Sequence, residues 1–185
     1  MISVAALWMP ILLSAVFVFV ASSILHMVLP YHRSDFAKLP AEDEVRDALR
    51  RFDIPPGNYM MPCPGTPKEM GTPEFLEKYK QGPVGMVTIM RNRPPAMGTN
   101  LALWFLYCVG VGAFTGFIAG GVLGAGSEYT AVFHVAGLVS LACYAGALVQ
   151  NSIWYSLAWS VTLKNLVDGL VYALLTAGTF GWLWP

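Results

Sequence analysis

Four long apolar stretches constrain what this chain can fold into more than any other feature. They cover about residues 2–29, 100–124, 131–150 and 165–184. Each is close to or above the roughly 20 residues that a helix needs to cross ~30 Å of hydrocarbon. Only 12% of the residues are charged, about half the fraction in a typical soluble domain. The sequence therefore predicts an all-α membrane protein, a bundle of four transmembrane helices.

The first apolar stretch is predicted to be a retained helix rather than a cleaved signal peptide. No basic residue precedes it, and it is longer than the 7–15 apolar residues of a signal sequence. The predicted organisation is a transmembrane helix over 1–30, a small mixed segment over 31–97, and three transmembrane helices within 98–185.

The positions of the basic residues predict the orientation. Ten of the eleven Lys and Arg lie between Arg33 and Arg93. The positive-inside rule then places 31–97 in the cytoplasm and both termini on the opposite side of the membrane. Acidic residues are interleaved with the basic ones, which argues against nucleic acid as a partner. The expected partners are the lipid bilayer and other membrane-protein subunits, or a second copy of the chain.

The segment 31–97 contains patterns of short helices and strands. Residues 40–52 form an amphipathic helical pattern with acids in the first turn and arginines in the last. Thr66-Pro67 and Thr72-Pro73 resemble helix starts. Residues 58–61 and 85–90 have the pattern of strands that can pair. This segment is too small to bury a large core of its own.

A further apolar stretch, residues 152–163, is too short to cross and return. We expect an interfacial helix on the inner leaflet. The alternative is that the fourth span begins earlier in the sequence and tilts.

Small residues recur at every fourth position in two of the predicted spans. Such rows let helix backbones approach closely in lipid, where little hydrophobic force drives helices together. We expect them to pack helices within one bundle, and the alternative is that one row faces another protein. The predicted helix-packing residues are Gly112, Gly116, Gly120, Gly124, Gly169, Ala173, Ala177 and Gly181.

Polar residues within or beside the spans are the remaining candidates for chemistry. His26 and His134 are predicted near opposite membrane surfaces, roughly 20 Å or more apart, so they should not share a haem iron. Lys164 and Asp168 lie four residues apart at the start of the fourth span. An ion pair within the helix is the expected arrangement, and a proton or ion relay is the alternative.

Soft metal ligands cluster in the segment 31–97. Met60, Met61 and Cys63 offer thioether and thiolate groups, which suit Cu(I), but methionine also fills gaps in packing. Packing is the expected role, and metal binding at these residues stays open. The sequence contains no motif of a catalytic site or cofactor site, so we expect no cofactor, no metal and no enzyme activity.

Three phrases, PPGNYMMPCP, ALWFLY and WSVTLKNLVDGLVYALLTAGTFGWLWP, resemble parts of polytopic membrane proteins of bacteria. This resemblance implies a membrane location and no particular activity. The leading hypothesis is a structural or accessory subunit that associates with itself or with a larger membrane complex. A transporter or channel formed by oligomerisation and a copper or redox protein are the alternatives.

Overall fold

The computed structural model describes residues 1–185. The elements in chain order are α1 (Trp8–Ser23), α2 (Glu42–Arg50), β1 (Gly57–Met61), α3 (Pro73–Gln81), β2 (Gly85–Ile89), α4 (Met97–Val122), α5 (Tyr129–Ala145), α6 (Val149–Tyr155) and α7 (Trp159–Trp182). The chain is mostly helical, with one small two-stranded sheet. It divides into two compact units, residues 1–37 with 96–185, and residues 38–95.

Three helical runs are long and apolar enough to cross a membrane. They are Val4–Val28, Met97–Val122 and Tyr129–Tyr155. Large apolar side chains on these runs remain exposed, among them Leu106 and Phe117 of α4, which fits helices that meet lipid on their outer sides. These runs indicate a membrane protein. The α7 helix is of similar length but is not one of the three.

The four long helices pack against one another. α7 contacts α5 and α1, α1 contacts α4, and α4 contacts α5. The side chains of Leu7, Val18, Val132 and Phe180 are fully buried between them. The apolar runs of the sequence therefore provide both the interior and the outer surface of the helical unit.

Most of the predicted small-residue positions lie at contacts within the chain. A Cβ on Gly112 would come within 3.2 Å of the Ile11 carbonyl oxygen, and one on Gly120 within 2.5 Å of the Ile2 carbonyl oxygen. A Cβ on Gly169 would lie 2.8 Å from the Ala145 Cβ, and a Cβ on Gly181 would lie 2.6 Å from the Tyr129 ring.

The remaining positions of the two rows are less uniform. Ala173 and Ala177 are buried. A Cβ on Gly116 would make only ordinary contacts, from 3.4 Å outward, and one on Gly124 would meet no atom within 4 Å. Equal spacing in sequence therefore does not produce equal contact, and Gly124 lies beyond the end of α4 at Val122.

The apolar stretch 152–163 is not a single interfacial helix. α6 ends at Tyr155, Ser156 has a left-handed backbone (φ 55°), and α7 begins at Trp159. Ser156 cannot continue a right-handed helix in that conformation. The stretch is therefore divided between two helices, and the last long helix begins before the predicted Asn165.

The unit of residues 38–95 contains the predicted short elements. β1 and β2 pair antiparallel, with Tyr59 opposite Val87 and Met60 opposite Met86. The Thr72 hydroxyl caps α3 by accepting a hydrogen bond from the Phe75 N–H. The helix predicted after Thr66 is only a 3-10 turn, Glu69–Gly71. No residue between 38 and 95 is buried, as expected for a segment this small.

Candidate functional site

A polar network joins the chain that follows α1 to the first turns of α7. The His32 Nε2 lies 2.8 Å from Asp168 Oδ2, and its Nδ1 lies 2.6 Å from Asp35 Oδ2. Lys164 Nζ donates hydrogen bonds to Asp35 Oδ1 at 2.7 Å and to the Ser34 hydroxyl at 2.8 Å. Both nitrogens of the His32 ring are thus engaged by carboxylates, one of them 136 residues away in sequence.

The local backbone brings two histidines together at this point. The helix that contains α1 ends in a π-helical turn over Ile24–Val28, where the Leu29 N–H donates to the Ile24 carbonyl at 3.0 Å. Pro30 then starts a short 3-10 turn. The His26 and His32 rings stack with centroids 4.1 Å apart. Single π-helical turns within helices frequently occur at functional sites.

The two charged residues of α7 take partners outside their own helix. Their four-residue spacing places both on one face, as predicted. The expected ion pair between them is replaced by Lys164 with Asp35 and by Asp168 with His32. The reason is that the segment after α1 lies against this face and supplies nearer partners of opposite charge.

Proton positions follow from the hydrogen-bond geometry. A carboxylate only accepts hydrogen bonds, so two such bonds to one ring need an N–H at each nitrogen or a protonated carboxyl group. The hydrogen bond from Lys164, followed by that from His32, holds the pKa of Asp35 below its usual value.

An open cavity adjoins the network. Its volume is about 310 Å³, and its walls include His26, Asp168, Tyr172, Trp104 and Asn165. The His26 side chain is 46% exposed, and its Nε2 lies 3.7 Å from Asp168 Oδ2 and 3.4 Å from the Tyr172 hydroxyl. Asp168 is only 3% exposed, and its Oδ1 is buried with no hydrogen-bond partner.

Other candidates from the sequence lie apart from this network. His134 is exposed on α5, with its ring beside Phe133. Met60 and Met61 lie exposed on β1, and the nearby Cys63 thiol is a free, exposed group. Of the four polar candidates, the structure therefore brings together His26, Lys164 and Asp168.

Three residues of the site were not predicted: His32, Asp35 and Tyr172. The sequence does contain a signal for the first two, because His26, His32 and Asp35 lie within ten residues at the end of an apolar run. Polar residues of metal-binding or acid–base type at a membrane boundary are functional candidates. Nothing in the sequence pairs them with Asp168, since that contact depends on how α7 docks.

Comparisons with protein-family models, with curated proteins and with solved structures find no match. The geometry of the chain itself is therefore the basis for proposing a function.

Proposed function

We propose that this chain is a four-span integral membrane protein of the bacterial inner membrane that acts as an accessory subunit. It associates with another membrane-protein subunit or with a second copy of itself. Residues 38–95 lie in the cytoplasm, and both termini lie on the opposite side. The positive-inside rule supports this orientation, because nine of the eleven Lys and Arg lie within 38–95.

Contacts at one end of the helical unit support a fourth span. The Gly126 N–H, in the loop between α4 and α5, donates to the Pro185 carbonyl at 2.7 Å. At the other terminus, the Ile2 N–H donates to the Gly120 carbonyl at 2.8 Å. Both termini thus lie beside the α4–α5 loop. If α4 and α5 cross the bilayer, α7 has to cross it as well to reach this end.

The apolar surface of residues 38–95 is the observation that carries the accessory role. None of these residues is buried, and Phe52 and Met90 are 74% and 78% exposed. Methionine side chains from both strands, Met60 and Met86, lie opposite each other on the sheet and are also exposed. Exposed apolar surface of this kind marks interaction sites, and methionines adapt readily to a partner.

The interior of the helical unit favours this role over transport. The hydroxyls of Ser14, Ser140, Thr176 and Thr179 donate to carbonyls of their own helices. These side chains therefore add little polarity between the helices. The charged network lies at one end of α7.

The test measures the size of the protein after gentle extraction from its native membrane. We expect a complex of defined stoichiometry that is larger than the 20.1 kDa chain. Met86→Glu, on the exposed face of the sheet, should release a single chain, because a buried charge opposes docking. Gln81→Glu adds the same charge at an exposed polar position of α3 and is the matched control. A wild-type protein that is a single chain would contradict the proposal.

A further inference from the structure

We propose that His26, His32 and Asp168 form a binding site for a divalent first-row transition-metal ion such as Zn²⁺. The inference does not depend on the accessory role, because it concerns a different part of the molecule. The three donor atoms, one from each residue, all lie within 4.8 Å of one another. Two imidazoles and one carboxylate are a donor set that suits zinc and iron.

The donor separations are close to those of a coordinated ion. In a tetrahedral site with bonds of 2.0–2.1 Å, neighbouring donors lie about 3.3 Å apart. The two distances from Asp168 Oδ2, 2.8 Å to His32 Nε2 and 3.7 Å to His26 Nε2, lie on either side of this value. The His26 and His32 rings are stacked, so they would have to turn toward each other for both nitrogens to reach one ion.

The groups around the donors already have the arrangement that metal-binding histidines require. A ligating histidine usually donates its other N–H to a carboxylate, which fixes the ring orientation and the tautomer. Asp35 occupies that position at 2.6 Å from His32 Nδ1, and Lys164 in turn holds Asp35. His32 Nε2 is thereby directed at Asp168, and an incoming ion would displace the proton between them.

The buried carboxylate provides an independent indication of a missing ligand. Asp168 Oδ1 is buried without a hydrogen-bond partner, an arrangement that costs free energy unless a partner is supplied. A cation held by both oxygens of Asp168 would supply one. The charge of a dication would also compensate the two neighbouring carboxylates, Asp168 and Asp35.

The cavity accounts for the remaining coordination position. His26 and Asp168 both line it, and Tyr172 forms an adjacent wall. Zinc sites with three protein ligands keep the fourth position for water or another small ligand, whereas structural zinc sites are closed. The proposed site is therefore of the open type.

Zinc titration of the full chain in detergent tests the inference. After treatment with a chelator, we expect the wild-type protein to bind one Zn²⁺ per chain in calorimetry. His26→Gln should weaken binding at least about 100-fold, because loss of a ligand exceeds the 10–100-fold effect of losing an outer partner. This variant should still fold, since the His26 side chain is 46% exposed. His134→Gln removes the exposed histidine of α5 and should bind like the wild type.

A spectroscopic measurement provides a second readout. Co²⁺ in a four-coordinate site absorbs strongly in the visible region, and we expect that band in the wild type and in His134→Gln but not in His26→Gln. The inference is overturned if wild-type protein takes up no zinc, or if His26→Gln binds zinc and cobalt as the wild type does. Neither result bears on the accessory role, which the size measurement with Met86→Glu tests.

Discussion

Gly120 and Gly121 are neighbours in α4 that we expect to respond oppositely to the same substitution. A Cβ at Gly120 would lie 2.5 Å from the main-chain carbonyl oxygen of Ile2, and one at Gly121 would meet no atom within 4 Å. Gly120→Ala therefore has to displace the backbone of the N-terminal residues, whereas Gly121→Ala fills open space. Main chain cannot yield by changing a rotamer, so the clash at Gly120 is costly.

The expected difference in the free energy of unfolding follows from comparing the two variants with each other. Both replace glycine by alanine in the last turn of α4, where the gain in helix propensity is at most about 1 kcal/mol and similar for the two, so this contribution cancels. Overpacking costs ~1–3 kcal/mol. Displacement also weakens the hydrogen bond from the Ile2 N–H to the Gly120 carbonyl, which contributes about 0.5–1.5 kcal/mol. Gly120→Ala should thus be less stable than Gly121→Ala by about 1–4.5 kcal/mol, the lower end applying if the hydrogen bond is kept.

The assay is unfolding of both purified variants in the same mild detergent, followed by helical circular dichroism. For a chain of this length, 1 kcal/mol corresponds to a shift in Tm of roughly 2–4 °C. We expect Gly121→Ala to melt at or above the wild type and Gly120→Ala clearly below it. Equal midpoints for the two variants would show that the N-terminal residues do not pack on α4 as described.

Three further predictions concern the docking of α7, the proposed zinc site and the orientation of the chain in the membrane. Gly169→Ala should lower the free energy of unfolding by about 1–3 kcal/mol relative to Gly178→Ala. The Cβ added at Gly169 would lie 2.8 Å from the Ala145 Cβ, whereas the one added at Gly178 would lie 3.8 Å from the Tyr129 hydroxyl. Identical denaturation curves would count against the docking of α7 on α5. Asp35→Asn should weaken zinc binding about 10–100-fold, measured by calorimetry, and unchanged affinity would show that Asp35 does not orient His32. A reporter fused after Pro185 should be extracytoplasmic and one inserted after Gln81 cytoplasmic, and a cytoplasmic signal from the first would refute the four-span arrangement.

Local features of this chain could be predicted well from the sequence. The first three apolar stretches form long helices, because about 20 consecutive apolar residues leave few alternatives. The two strands of residues 38–95 and the start of α3 at Thr72-Pro73 were also correctly located. Turn and capping residues affect the backbone within a few positions, so their effect can be predicted directly from the sequence. Residues 152–163 were expected to form one interfacial helix, with an earlier start of the fourth span as the alternative; the chain divides them between α6 and α7, because apolar composition did not reveal the break at Ser156.

The site could be predicted only in part. Lys164, Asp168 and His26 were chosen as individual residues, but the pairing of the first two with each other was wrong. His32 and Asp35 were not singled out, because polar residues are common at the boundary of a membrane-spanning stretch. A helical pattern shows which side chains share a face and not what that face will meet. Because His26 and His134 were predicted to lie too far apart to share a haem iron, no second histidine was sought near His26.

The sequence by itself determined that this is a membrane protein with a polar segment of about sixty residues after its first helix. This follows from local features, the apolar runs and the positions of the charges, because each run is by itself long enough to cross a bilayer. Only the tertiary structure decided that His32, Asp35, Lys164 and Asp168 meet. Their contact needs α7 to dock beside α1, while α7 is also held against α5 by close approaches such as Gly169 on Ala145. Contacts between residues 136 positions apart depend on the packing of whole helices, which no short stretch of sequence specifies.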